Sequence, residues 1–287
     1  MQKIPVRSFK NPVNEPELSG SFNIRKLGPL LTGSDMIQEL HRHDFFFVLV
    51  IEKGKGEHII DFTSYPITGH SVFFMRPGQV HQLTLKKGSS GYLLEFKNDF
   101  YSPARHSANQ LLRKVSSKNY CRPGSKRFKE LIAVLDKIFN EFTSRQEKYF
   151  DVIKANMEIF FIELSRQSPN PGGLTNETNL YTQERLEELM QLLELNIYTK
   201  KQVSDYADMM HLTSYQLNTI TKKLLGKTCS AVIDDHIILE AKRQLLATSE
   251  QVNQVADQLG YEDPSYFIRF FKKHTGYSPE AFRKNFK

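Results

Sequence analysis

The 287-residue sequence has no tryptophan and only two cysteines, Cys121 and Cys229. Far apart and unaccompanied, they exclude a disulfide framework and a thiolate metal cluster, and they suit a reducing cytoplasm. No run reaches the roughly 18 consecutive apolar residues of a membrane span. The opening residues MQKIPVRSFKNP lack an apolar core segment, which predicts no secretory leader. A cytoplasmic protein with no membrane partner is therefore expected. An acidic excess is missing as well, since the net charge is +7, which invites nucleic acid as a partner. The excess is misplaced for a simple version of that reading. From Leu180 onward, 14 Lys and Arg meet 14 Asp and Glu, whereas the first 179 residues carry 25 against 18. Only clustering on one face could mark the C-terminal part as a nucleic-acid binder.

What is present suffices for folded cores. Apolar residues make up 39% of a length that suits one large domain or two ordinary ones. Residues 20–100 read as strands. HRHDFFFVLVIEKGKGEHIIDF is broken by Gly54 and Gly56, a hairpin signal, and YPITGHSVFFMRPGQVHQLTL repeats the pattern around Gly69 and Pro77-Gly78. In 43–51, His43, Phe45, Phe47, Leu49 and Ile51 share one face, while Phe46, Val48 and Val50 share the other. A strand apolar on both faces lies between two layers, which suits a small β-barrel with helices packed outside it. Two helices follow, KRFKELIAVLDKIFNEF and YFDVIKANMEIFFIELSRQ. The apolar stripe of the second, with Phe160 and Phe161, is wide enough to suggest a homodimer formed through 149–166. SPNPGGLTNETN, 168–179, marks the domain boundary. The expected organisation is a barrel and dimerisation domain over 1–167, a linker over 168–179 and a helical domain over 180–287. The fold class is α+β. One stretch, Lys86–Lys129, holds eleven Lys and Arg against Glu95 and Asp99, and reads as a solvated loop or an auxiliary phosphate contact.

The helical domain contains a repeat. Ala207-Asp208 matches Ala256-Asp257 at an offset of 49, and Lys222-Lys223 with Gly226 matches Lys272-Lys273 with Gly276 at an offset of 50. Each copy is a short helix, a turn and a longer helix, the helix-turn-helix unit. Thr213 with Gln216 forms a capping box, and Asp263 before Pro264 is an N-cap followed by a proline that suits the first helical position. Gly226 and Gly276 suit left-handed helix stops. On the helix from Pro264, Phe267, Phe270 and Phe271 form a buried stripe. Ser265, Tyr266 and Arg269 then occupy turns that would meet base edges, and Lys272 and Lys273 positions that would meet phosphates.

The segment VADQLGYEDPSYFIRFFKKHTGYSPEAFRKNF closely resembles the C-terminal signature of the AraC/XylS family of bacterial transcription regulators. The match runs through Ala256, Leu259-Gly260-Tyr261, Asp263, Ser265-Tyr266-Phe267, Arg269, Phe271-Lys272, Gly276, Ser278-Pro279 and Phe282-Arg283. The resemblance covers about 180–287 strongly and 20–100 more loosely, where the chain looks like a cupin-type sensor barrel. It implies a sequence-specific regulator, most often an activator, that binds double-stranded DNA beside a promoter with RNA polymerase as partner. Two helix-turn-helix units, joined by a helix over about Ala231–Ala247, would enter successive major-groove segments. In the first unit base contacts would fall to Ser214, Tyr215, Asn218 and Thr219, and phosphate contacts to Lys222 and Lys223. The first unit departs from the second in having Thr219 in place of Arg269.

The same resemblance implies a small-molecule effector pocket lined by His43, Phe45, Phe47, His81 and Tyr92. His41, His43 and His81 resemble three members of a cupin metal motif. Its glutamate is missing, because Phe47 and Val48 stand where it should be. Three histidines could still hold zinc with a water in a tetrahedral site; the alternative, hydrogen-bonded remnants of the motif, is the reading adopted, so no cofactor, functional metal or enzymatic activity is expected. The alternatives are a constitutive regulator without effector, or a cupin enzyme fused to a DNA-binding domain. A repair methyltransferase would need a metal-activated acceptor cysteine, and Cys121 has no second cysteine nearby.

Overall fold

The computed structural model describes residues 6–8, 21–101, 106–166 and 177–286. The chain divides into two compact units, Pro5–Gly172 and one that holds Gly173–Lys287.

The first unit runs β1 (Val6–Arg7), β2 (Phe22–Lys26), α1 (Leu27–Leu30), β3 (Met36–His43), β4 (Phe46–Lys53) and β5 (Gly56–Ile60). It continues through β6 (Thr63–Ile67), β7 (Ser71–Met75), β8 (Val80–Leu85), β9 (Ser90–Phe96), α2 (His106–Ser116), β10 (Tyr120–Cys121), α3 (Ser125–Ser144) and α4 (Tyr149–Ser165). The strands form two five-stranded sheets, ordered β1-β3-β8-β5-β6 and β10-β7-β4-β9-β2. The expected barrel is thus a pair of facing sheets.

The glycine breaks are not hairpins. At Gly54–Lys55 the chain leaves the second sheet and enters the first, and it changes sheet again between β6 and β7 and between β7 and β8. Gly56 is needed there for close approach: a Cβ on it would lie 2.0 Å from the Thr84 carbonyl oxygen of β8. The hairpin is β5–β6, turning on Asp61 and Phe62, both at positive φ. Positive φ at both central residues is the geometry whose twist matches a two-residue hairpin. Phenylalanine is an unusual residue for it, and the sequence reading missed the turn for that reason.

β4 has the two-faced burial its alternation implies. Phe45, Phe47, Leu49 and Ile51 join Ile60, Ile67, Phe73, Leu83, Leu85 and Leu93 in the core between the sheets. Val48 and Val50 join Phe74, Leu94 and Phe96 beneath α3 and α4. Burying a large apolar side chain contributes about 1.5–3 kcal/mol, so these two layers hold the unit together. α4 spends its stripe here: Ile153, Met157, Phe160 and Phe161 are fully buried within the chain. Phe160 and Phe161 therefore cannot form the dimer face expected of them.

The second unit is helical: α5 (Glu177–Asn196), α6 (Val203–Met209), α7 (Ser214–Leu225), α8 (Cys229–Ala247), α9 (Val252–Gln258), α10 (Pro264–Thr275) and α11 (Pro279–Phe286). Residues 168–176 of the expected linker lie outside the described residues, and its last three belong to α5. α8 starts two residues earlier than expected and is about 28 Å long at 1.5 Å per residue. Its Ile233, Ile237, Ala241 and Leu245 are buried, and it packs on α6, α7, α9, α10 and α11.

Candidate nucleic-acid interface and an interior histidine cluster

The repeat read from sequence is a repeat of backbone geometry. Leu212 N–H donates to Ala207 O, and Tyr261 N–H to Ala256 O, each at 2.9 Å. The residue before each donor is left-handed: His211 at φ 53° in the first copy and Gly260 at 70° in the second. α7 then starts from the expected capping box, with Gln216 N–H donating to Thr213 Oγ1 at 3.2 Å and Thr213 N–H to Gln216 Oε1 at 2.8 Å. α10 starts from Asp263, whose Oδ1 accepts from Ser265 N–H at 2.8 Å. Both helices close on left-handed glycines, Gly226 and Gly276.

Each long helix buries one side and exposes the other. On α10, Phe267 and Phe271 are fully buried. Phe270, expected in the same stripe, is only half-buried and lies against His274 and Tyr261. Ser265, Tyr266, Arg269, Lys272 and Lys273 are exposed, with the Arg269 guanidinium 3.9 Å from the Asp263 carboxylate. On α7, Leu217, Ile220 and Thr221 are buried, while Ser214, Tyr215, Thr219, Lys222 and Lys223 are exposed. Tyr215, at 81% exposure, has its ring in solvent, an unfavourable place for an aromatic unless something stacks on it.

Asn218 departs from expectation. Its Oδ1 accepts from Cys229 N–H at 2.9 Å and its Nδ2 donates to Ser214 O at 3.0 Å. Both ends of the amide are occupied within the protein, one of them satisfying an orphan N–H at the start of α8. The side chain fixes α8 to α7 and is not available to pair with adenine. The second helix-turn-helix is tied to the start of the first by Lys201, whose Nζ donates to Gly260 O at 2.9 Å and sits 5.0 Å from the Tyr261 ring centre.

The Lys86–Lys129 cations are spread over several elements. Lys86 pairs with Asp35 at 2.8 Å, Arg113 and Lys114 lie on α2, and Lys126, Arg127 and Lys129 lie on α3. Arg105 is outside the described residues.

Between the sheets of the first unit lies a cluster of histidines. His41 pairs with His81 across β3 and β8, beside an irregularity that leaves residues 39 and 40 without partners in the register. His43 follows on the same face. His58 reaches the cluster from β5, which the sequence reading overlooked, although its two-residue spacing from the inward Ile60 was a usable signal. All four are buried. His81 Nε2 lies 2.9 Å from Nε2 of both His41 and His43, and its Nδ1 lies 2.8 Å from His58 Nε2. Phe47 stacks on His43 at 5.2 Å between ring centres. Loss of water pushes His41 down to about 4 and His58 to about 3. Loss of water and the neighbouring His41 push His43 down to about 3, and burial holds His81 well below the usual histidine value. The rings are neutral at ordinary pH.

Of the expected pocket residues, His43, Phe45, Phe47 and His81 are thus brought together. Tyr92 is not, because its side chain faces the helical layer and its hydroxyl donates to Asp136 of α3. It stands next to Leu93, which points inward, so parity along β9 excludes it.

The chain matches two family models: an AraC-like ligand binding domain over residues 33–148 and a helix-turn-helix domain over residues 206–285. It is similar to the HTH-type transcriptional activator RhaS of Enterobacter sp. (strain 638), with 23% identity over 248 residues, 85% of this chain and 87% of that one. To RhaS of Escherichia coli O1:K1 / APEC it is 26% identical over 253 residues, with the same coverage of each chain. Among solved structures, unsaturated fatty acid bound ToxT from Vibrio cholerae strain SCE256 aligns over 94% of this chain and 97% of its own. That alignment has 17% identity and a TM-score of 0.43.

Proposed function

The chain belongs to the AraC/XylS family of transcription regulators, and from that premise we propose that it activates transcription by setting α7 and α10 into successive major-groove segments of promoter DNA. The observation that carries this is the duplication of one device. Two capped helices, each seated on a buried stripe and closed by a left-handed glycine, expose short polar and aromatic residues in their first turns and a lysine pair in their last. In this reading Ser214, Tyr215, Thr219, Ser265, Tyr266 and Arg269 meet base edges, and Lys222, Lys223, Lys272 and Lys273 meet phosphates. Asn218 is left out because its amide is already used. RNA polymerase is the partner on the DNA, and the cytoplasm is the compartment. Among the described residues no helix is long and apolar enough to cross a membrane.

The N-terminal unit is read as the sensor of a small-molecule effector, supported by the match to a ligand binding family over 33–148. The seat is the space between the sheets at His43, Phe45, Phe47 and His81. A second copy of the chain is the remaining partner, and the outer face of α4 supports it. Val152, Ala155, Ile159 and Ile162 follow one another at spacings of three, four and three. The first three are exposed and Ile162 is half-buried. That is the spacing of a helix-pairing seam.

The test is selection of bound sites by the full chain from a random duplex pool. Two half-sites about one helical turn apart are expected, with affinity falling steeply as salt rises because phosphate contacts release counterions. Arg269→Ala should relax preference at one position by about 1–3 kcal/mol, and Lys273→Ala should weaken all sequences alike. A pool that yields no enriched motif, or one selectivity profile shared by both variants, would overturn the reading.

A further inference from the structure

The histidines between the sheets have a donor problem that no arrangement of their own protons resolves. A neutral imidazole carries one N–H and one lone pair. The Glu39 carbonyl can only accept, so His41 holds its proton on Nδ1, at 2.7 Å from that oxygen, and its Nε2 lone pair faces inward. His43 turns Nδ1 toward the backbone of Arg7, its partner on β1. No hydrogen bond closes on that Nδ1, and His43 Nε2 faces inward, 2.9 Å from His81 Nε2. Nε2 of His41 and Nε2 of His43 then converge on Nε2 of His81, 2.9 Å from each, and that one atom offers the two of them a single proton or a single lone pair.

We propose that His41, His43 and His81 bind a divalent transition-metal ion of the zinc(II) class through their Nε2 atoms, with His58 behind His81 as the acceptor that orients it. The three donor atoms lie within 4.8 Å of one another. Zinc–nitrogen bonds of 2.0–2.1 Å in a tetrahedron place neighbouring nitrogens about 3.3 Å apart. Each 2.9 Å pair therefore opens by about 0.4 Å to reach that spacing, and the His41–His43 pair, which lies within 4.8 Å, adjusts to it as well. Imidazole donors suit zinc, copper, nickel and iron, and do not suit magnesium or calcium. Three protein donors leave a fourth position for water or an atom of a small ligand. With only neutral rings around the ion, an anionic oxygen such as hydroxide or carboxylate is favoured there.

A metal-binding histidine ordinarily donates its other N–H to a fixed acceptor. The nearest acid in sequence, Asp44, is exposed and supplies none. The fold provides two of them from elsewhere: the Glu39 carbonyl beside the strand irregularity for His41, and His58 Nε2 at 2.8 Å from His81 Nδ1 for His81, while His43 Nδ1 has no partner. Loading the site moves the His81 proton from Nε2 to Nδ1 and the His58 proton from Nε2 to Nδ1, with no net release. His58 Nδ1 has no hydrogen-bond partner in either state, so the shift creates no further unpaired atom.

The experiment titrates the chelator-stripped full chain with Zn²⁺ alone and with Co²⁺ alone, and does not depend on any effector or DNA. Expected are uptake of one ion per chain by elemental analysis, the intense visible absorption of tetrahedral Co²⁺, and a rise in Tm with Zn²⁺. His43→Gln, checked for a wild-type circular dichroism spectrum, should lose all three. His58→Gln keeps every ligand and should weaken Zn²⁺ by about 10–100-fold. Uptake well below one ion, a weak octahedral Co²⁺ spectrum in the wild-type chain, or undiminished binding by folded His43→Gln would overturn the site. If His43→Gln does not fold, the wild-type Co²⁺ spectrum decides alone. Unchanged affinity in His58→Gln would remove His58 from it.

Discussion

The buried histidines make the N-terminal unit sensitive to acid. An unfolded histidine titrates near 6.5, while burial lowers His41 to about 4 and His43 and His58 to about 3. Below pH 6.5 the unfolded chain therefore binds more protons than the folded one. Stability present above 6.5 is lost as pH falls toward 4 and 3, on the order of a few kcal/mol for each ring. In the metal-stripped chain, the urea midpoint of this unit should drop steadily from about pH 6.5 to 4, and a flat midpoint across that window would contradict the burial argument. At the same scale, Asn218→Ala separates structure from recognition. It removes the acceptor from Cys229 N–H, so a loss of about 1 kcal/mol is expected. The base preferences of the folded variant should be unchanged, and a relaxed motif in site selection would return Asn218 to the DNA face.

Between the two helix-turn-helix elements, the left-handed turn position separates a glycine that is required from a histidine that is tolerated. A Cβ on Gly260 would lie 2.0 Å from the Tyr198 carbonyl oxygen, and φ there is +70°. Gly260→Ala should cost at least about 1–2 kcal/mol from backbone conformation alone, with more from the clash. His211→Gly relieves the same conformation where the side chain is exposed, and should be neutral or stabilise by up to about 1 kcal/mol. Thermal melts of both variants check this, and equal destabilisation would show that the two turns are not equivalent. Most of these elements were legible because their signals are local. Thr213, Gln216, Asp263, Pro264, Gly226 and Gly276 act within a turn of their own position, so sequence spacing alone reveals the caps and stops. Asn218, Tyr92 and His58 were misread or missed because their roles are settled by residues 11, 44 and 23 positions away. An amide on a helix reads the same whether it faces DNA or the next helix, and only the fold decides.

For the whole molecule, α4 sets the test of self-association. Ile159 is 48% exposed and Phe160 beside it is fully buried. Ile159→Glu should give a folded monomer in sedimentation velocity, whereas Phe160→Glu should unfold the unit. A folded dimer of Ile159→Glu would remove this seam from the dimer. The chain's repeated change of sheet has a kinetic consequence. β2 pairs with β9 across some 70 residues, β3 with β8, and β4 with β9. Nearly every strand waits for a partner far along the chain, so the entropy of closing long loops must be met before any ladder contributes. During synthesis the first sheets have little to settle on until β9 has emerged, while the helical unit, built from contacts between neighbouring helices, can form soon after its own residues appear. The slow step in producing active protein belongs to the half that senses, and chaperone demand should follow its strands rather than the helices that read DNA.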